Sequence, residues 1–264
     1  MGEGWCTVRK LIWLCTLFVL YSTTANATYF MAERDSTLSG RVQNSSAVNY
    51  TTARDVTEAN SAQLVTAVDG IVGQAYSAST WSVYRSILRF DTSALADDAT
   101  IDSVLFKVVV SYENNDNAFS TMLIACEDTM STGYFGVHCF DNFEGYAASG
   151  EYTPTILSDS LDCTSVSAGD TLTYRLNAAG KSEINKTGIT QFFIVSGCDM
   201  GSADPKDGAE PAYREDFLFD ADYIYIQVYY NGSGGWYSRQ VNGVTPASVN
   251  GVSVSNIKSV NGVE

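Results

Sequence analysis

The chain has a single histidine, His138, among its 264 residues. A Ser-His-Asp or Cys-His relay must use that one imidazole, and its neighbours Val137 and Cys139 form no nucleophile elbow. No G-x-S-x-G occurs, and one histidine cannot supply the two- or three-histidine set of the common zinc sites. Close cysteine pairs of the C-x-x-C type are also missing, which removes the thiolate zinc cluster. Positive charge is scarce, with 15 Lys and Arg against 30 Asp and Glu. Phosphate backbones bind by releasing counterions to Lys and Arg, so this balance argues against nucleic acid as a partner. No apolar run reaches the ~20 residues that cross a bilayer as a helix. Helical periodicity is nearly absent. Carboxylate pairs for glycoside hydrolysis are always available in so acidic a chain and carry no information. With no activated constellation visible, the expectation is a protein that is not an enzyme.

What is present starts with an export signal over residues 1–27. Arg9 and Lys10 give a positive start, Leu11 to Tyr21 an apolar stretch of eleven residues, and Ala25-Asn26-Ala27 a small-x-small cleavage site. The expected product is secreted, with no membrane span in the mature chain. Loss of Glu3, Arg9 and Lys10 leaves 29 acidic and 13 basic residues, a net charge of −16. Such a surface suits solubility in salt and retention of divalent cations. Cys126, Cys139, Cys163 and Cys198 remain. An even count in an exported chain predicts two disulfides, with three connectivities open.

Short alternating runs separated by turns predict strands. Over Ile101–Tyr112, Val104, Phe106, Val108, Val110 and Tyr112 share one face, with Lys107 and Ser111 on the other. Over Tyr223–Tyr230, Ile224, Ile226 and Val228 oppose Tyr223, Tyr225, Gln227 and Tyr229. Ser86–Phe90, Thr121–Cys126, Leu172–Leu176 and Gln191–Ser196 are further strands, rich in β-formers. Asn177 to Gly188 predicts one short helix of two to three turns. The fold class is therefore all-β, an antiparallel β-sandwich of jelly-roll type, spanning residues 28–231. Residues 232–264 form a Gly/Ser linker and a tail repeating Val-Asn-Gly-Val at Val241, Val249 and Val260. Asn-Gly is a strong hairpin-turn signal, so the repeats predict a small β-ribbon or strands offered to another chain; a disordered tail is the plain alternative.

Flat aromatic faces beside polar groups suit sugars. Tyr223, Tyr225, Gln227 and Tyr229 on one strand face are one candidate platform; Trp81, Tyr76 and Tyr84 are a second cluster. Arg85, Ile87, Arg89 and Asp91 share a face of their strand, where Arg85 and Arg89 are candidates for ligand contact or for ordinary cross-strand ion pairs. The plain alternative for the tyrosines is half-buried strand positions with hydroxyls at the rim. Oxygen-rich loops at Glu113–Asn117, Asp199–Asp207 and Asp141–Glu144 nominate Asp116, Asp204 and Asp207 as ligands for a structural calcium, although none has EF-hand spacing. Asn44, Asn49, Asn185 and Asn231 begin N-glycosylation sequons.

Tyr84-Arg-Ser-Ile-Leu-Arg-Phe-Asp-Thr-Ser-Ala-Leu95 followed by Ala99-Thr-Ile-Asp-Ser-Val-Leu-Phe-Lys107 resembles the DNRLRE domain, which overlaps carbohydrate-binding module family 96. Asn177–Ile194 and the stretch from Tyr213-Arg-Glu-Asp216 into Tyr223–Tyr230 are similar to its later segments. The resemblance implies a secreted β-sandwich module that binds glycan. Neither the cysteines nor the terminal repeat belong to that pattern, and the repeat resembles tails of virion and surface-appendage proteins. Two readings follow. One is a secreted, non-catalytic module binding extracellular polysaccharide; the other is a structural subunit of an extracellular or virion appendage, a homo-oligomer or heteromer assembling through its C-terminal repeats.

Overall fold

The computed structural model describes residues 28–35, 39–64, 70–115, 119–127, 135–148, 150–201, 213–231, 248–249 and 252–253. The expected signal, and with it the cleavage site, lies outside them. In chain order the elements are β1 (Thr28–Glu33), β2 (Gly40–Ser46), α1 (Tyr50–Arg54), β3 (Ser61–Leu64), β4 (Gly70–Ser77), β5 (Thr80–Asp91), β6 (Thr100–Asn115) and β7 (Ser120–Ala125). A 3-10 turn (Val137–Phe140), β8 (Leu161–Asp162), β9 (Thr171–Arg175), α2 (Ala178–Ser182), β10 (Ile189–Ser196), α3 (Gly197–Met200) and β11 (Tyr213–Asn231) follow. All pairings among these strands are antiparallel, and the fold is an all-β, sandwich-like one.

Strand β5 is the seam between two halves. Its first part pairs with β4 from Ser77↔Thr80 to Gly73↔Tyr84, and its second part with β10 from Ile194↔Ser86 to Ile189↔Asp91. One half runs β3-β2-β5-β10-β7-β8; in the other, β1 and β4 share one edge of β11, and β6 then β9 lie beyond its other edge. The main core fills the space between the halves: Leu88 and Phe90 of β5, Phe192 and Ile194 of β10, Val104 to Val110 of β6, and Ile224 to Tyr230 of β11. Each large apolar side chain buried there contributes roughly 1.5–3 kcal/mol. The β6 alternation read from sequence holds through Val110. Tyr112 is half-exposed, since a register shift between Leu218↔Tyr112 and Phe219↔Val110 turns the strand beyond that point.

A second core, not evident in the sequence, covers the outer face of the β5 half. Trp81, Val83 and Ile87 of β5, Ile124 of β7, and Phe193 and Val195 of β10 pack beneath α1 (Tyr50, Ala53) and the segment carrying Cys139, Phe140 and Phe143. Strands β5, β7 and β10 are thus buried on both faces. The expected helix after Asn177 is present but only five residues long. Asn177 caps its start by accepting from Gly180 N–H at 3.0 Å, and a turn in which Asn185 Oδ1 accepts from Thr187 N–H ends the segment.

Among the described residues the expected disulfides are absent, and Cys126, Cys139, Cys163 and Cys198 stand unbridged. Cys163 lies in the main core, so the double-faced sheet separates it from Cys126 and Cys139, which share the second core. Of the sequon asparagines, Asn44 is buried and donates to Ala53 O at 2.8 Å. In the tail, the repeat at Val249 forms an antiparallel pair, Ser248↔Ser253 and Val249↔Val252, bracketing Asn250-Gly251. The repeats at Val241 and Val260 fall outside the described residues.

Candidate functional site

The two aromatic clusters end up in opposite environments. Trp81 is buried, packing against Tyr50 (ring centroids 5.2 Å apart) and Tyr76 (4.9 Å). Arg85 and Arg89 are also interior, and Tyr84 is half-buried in register between Gly73 and Gln43. The reading of Trp81, Tyr76 and Tyr84 as a ligand-lining cluster is corrected at Trp81, and that of Arg85 and Arg89 as ligand contacts is corrected too: odd positions of β5 point into the second core, and for Arg85 the ion-pair alternative holds. There Arg85 donates from Nε and Nη2 to both carboxylate oxygens of Asp199, each at 2.7 Å. It also donates to Phe140 O at 2.7 Å and Arg54 O at 3.1 Å, and its guanidinium lies 3.9 Å from the Phe140 ring centroid. Burial by itself lowers the pKa of Arg85, but the facing Asp199 more than offsets it and holds the group above the ordinary guanidinium value. Beside it, Arg54 pairs with Asp55 at 2.6 Å and donates to Gly150 O, while Tyr152 donates to Asp55 at 2.7 Å. This network fastens α1, α3 and the covering segment to the sheet.

The Tyr223–Tyr229 cluster is brought together on the outer face of the opposite half. Parallel rows run across the strands. Tyr29 of β1 faces Tyr229 of β11 and then Ser103 of β6. Met31 faces Gln227, Leu105 and Arg175, and Glu33 faces Tyr225, Lys107 and Thr173. Tyr29 and Met31 are 51% and 50% exposed, and Tyr223 is 57% exposed, so both ends of the tyrosine line meet solvent. Tyr29 and Tyr229 pair at 5.9 Å between ring centroids, inclined by 44°. Lys107 Nζ sits 5.8 Å from the Tyr225 centroid and donates to Gln227 Oε1 at 3.4 Å.

A bulge in β11 makes this face. Phe217 and Phe219 point inward, yet further along the inward residues are Ile224, Ile226, Val228 and Tyr230. Between Phe219↔Val110 and Ile224↔Val108, β11 advances five residues while β6 advances two. That change of parity keeps apolar side chains inside and turns Tyr225, Gln227 and Tyr229 outward, as bulges do when they re-aim a strand. Asp222 N–H donates to Asp220 Oδ1 at 2.9 Å within the bulge, and Arg34 Nε donates to Ala221 O at 2.6 Å across it.

Sequence reading located the β11 tyrosines but missed Tyr29, Met31, Lys107 and Arg175. The signal for the first two was there: Tyr29, Met31 and Glu33 alternate with Phe30 and Ala32. The candidate calcium ligands Asp116, Asp204 and Asp207 lie outside the described residues. Among the described residues, including Asp141 and Glu144, no group of three or more His, Cys, Asp or Glu side chains is placed to hold a metal ion. No protein-family model matches this chain, and no match to a curated protein was found.

Proposed function

We propose that the chain is an exported, non-catalytic β-sandwich module that binds extracellular polysaccharide on the outer face of β1, β11, β6 and β9. The observation carrying this reading is the outward-facing line Tyr29, Tyr229, Tyr225 and Tyr223, exposed at its two ends and half-buried between them, with Gln227 and Lys107 beside the rings. Ring faces suit the C–H surfaces of sugars; the amide and ammonium suit their hydroxyls or carboxylates. The resemblance of Tyr84–Leu95 to the DNRLRE domain supports the same reading. The mature protein, Thr28–Glu264, is tested in native gels cast with glucan, mannan, xylan and polyuronate. Retardation by one of them, lost in Tyr225→Ala with an unchanged unfolding midpoint, supports the reading. Unchanged mobility across the panel sinks it.

A second reading is favoured by the Val249↔Val252 pair in the tail. A two-stranded ribbon is marginal alone and gains from added strands, so the repeats suit assembly with neighbouring copies in an appendage. Truncation after Asn231 separates the two: a glycan module keeps its polysaccharide, whereas an assembly subunit loses its oligomer in sedimentation.

A further inference from the structure

We infer that the face takes a linear polysaccharide lying along β11 and held at internal units, not at a chain end; this rests on the glycan reading above. Direction comes first. The rings follow one strand, Tyr223, Tyr225 and Tyr229, whereas the outward positions across β6 and β9 are Ser103, Leu105, Lys107, Thr173 and Arg175. A chain crossing the strands would meet one ring and then aliphatic and charged groups. A chain running with β11 meets ring after ring.

Spacing comes second. Tyr225 and Tyr229 are four residues apart on a regular stretch of strand, which puts them about 14 Å apart, roughly the span of three linked pyranose rings. Between them sits the polar pair Gln227–Lys107, placed for the hydroxyls of the middle unit. Tyr29 widens the Tyr229 end into a two-ring contact. Both ends of the line are exposed, so the chain continues past Tyr29 and past Tyr223. The same face suits a second protein copy poorly. Glu33 and Lys107 stand among the rings, and interface centres are depleted of Lys and Glu.

The test uses oligosaccharide ladders, from two to six units, cut from whichever panel polysaccharide retards the mature protein. Affinities are read by calorimetry. The expected result is at least a tenfold gain from disaccharide to tetrasaccharide, then a plateau. Tyr225→Ala or Tyr229→Ala should flatten that gain, and chemically blocking both ends of the tetrasaccharide should change affinity less than twofold. Equal affinity for disaccharide and tetrasaccharide, or loss of binding on blocking the ends, overturns the inference while leaving glycan binding intact. Failure of every panel polysaccharide to retard the protein overturns the glycan reading, and this inference with it.

Discussion

Replacing Asp199 with asparagine keeps the shape of the side chain and removes its charge. The guanidinium of Arg85 is then a fully buried cation, its bidentate partner reduced to a neutral amide. Breaking one side of a buried pair costs about 3–5 kcal/mol, because the remaining charge has no water to return to. Against a total stability of ~5–15 kcal/mol, that is a fifth or more. Arg85→Met should cost about as much, since it strands Asp199 and leaves Phe140 O without its donor at ~1–3 kcal/mol, while Arg54 O keeps the Tyr152 hydroxyl at 3.0 Å. The pair Arg85→Met with Asp199→Asn removes both charges and should cost at least ~2 kcal/mol less than the two single losses summed. Urea unfolding of the four proteins closes the cycle. Because the pair is dry, the coupling should survive 1 M salt. Single losses under about 1 kcal/mol, or strict additivity, would refute the view that this node holds the covering layer down.

Three further outcomes follow from particular contacts. The β4–β5 turn holds Ala78 and Ser79 at φ 48° and 63°, where glycine or asparagine is the usual occupant, so Ser79→Gly should raise stability by about 1 kcal/mol in urea melts; a loss would refute the turn geometry. Cys126, Cys139 and Cys163 are buried and Cys198 only partly so. A thiol reagent should therefore label Cys198 first in the folded Thr28–Glu264 protein and four thiols after unfolding without reductant, whereas two or fewer after unfolding would mean that bridges form. Burial raises the pKa of Tyr50, Tyr152, Tyr174, Cys126 and Cys163, so these groups stay protonated in the fold. The unfolded chain releases the same protons from about pH 8.5 for thiols and about 10 for phenols. Stability should be complete below about pH 8 and fall steadily above it, and a melting temperature flat from pH 7 to 10.5 would contradict this.

The alternation of β6 and of the end of β11 was legible because each has one face on the core and one in water. Period two then shows directly in residue type. The same logic failed for β5, whose outer face is covered. Arg85 reads as a surface charge until its partner is known, and that partner lies 114 residues away. Trp81 was misplaced for the same reason: the layer that buries it comes from α1 and from the segment around Phe140, which have no local relation to β5. Half of the tyrosine face was legible on β11, but its other members lie on β1, β6 and β9, and only register brings them into line. The cysteine count pointed to bridges, yet counting cannot show that a sheet stands between two sulfurs.

The pairing Thr28↔Tyr230 has a consequence for how this domain can be joined to others. Its first and last strands end side by side, so the chain enters and leaves at a single corner. A domain hung from one corner can be spliced into a surface loop of a host protein without stretching either junction. That corner also carries Tyr29 and Tyr229. A bulky neighbour fused tightly at either junction would crowd that end of the face, while a Gly/Ser spacer such as Asn231-Gly-Ser-Gly-Gly235 would relieve it. In tandem arrays, spacer length would therefore act as a tuning parameter for access, with no change to any residue of the sandwich.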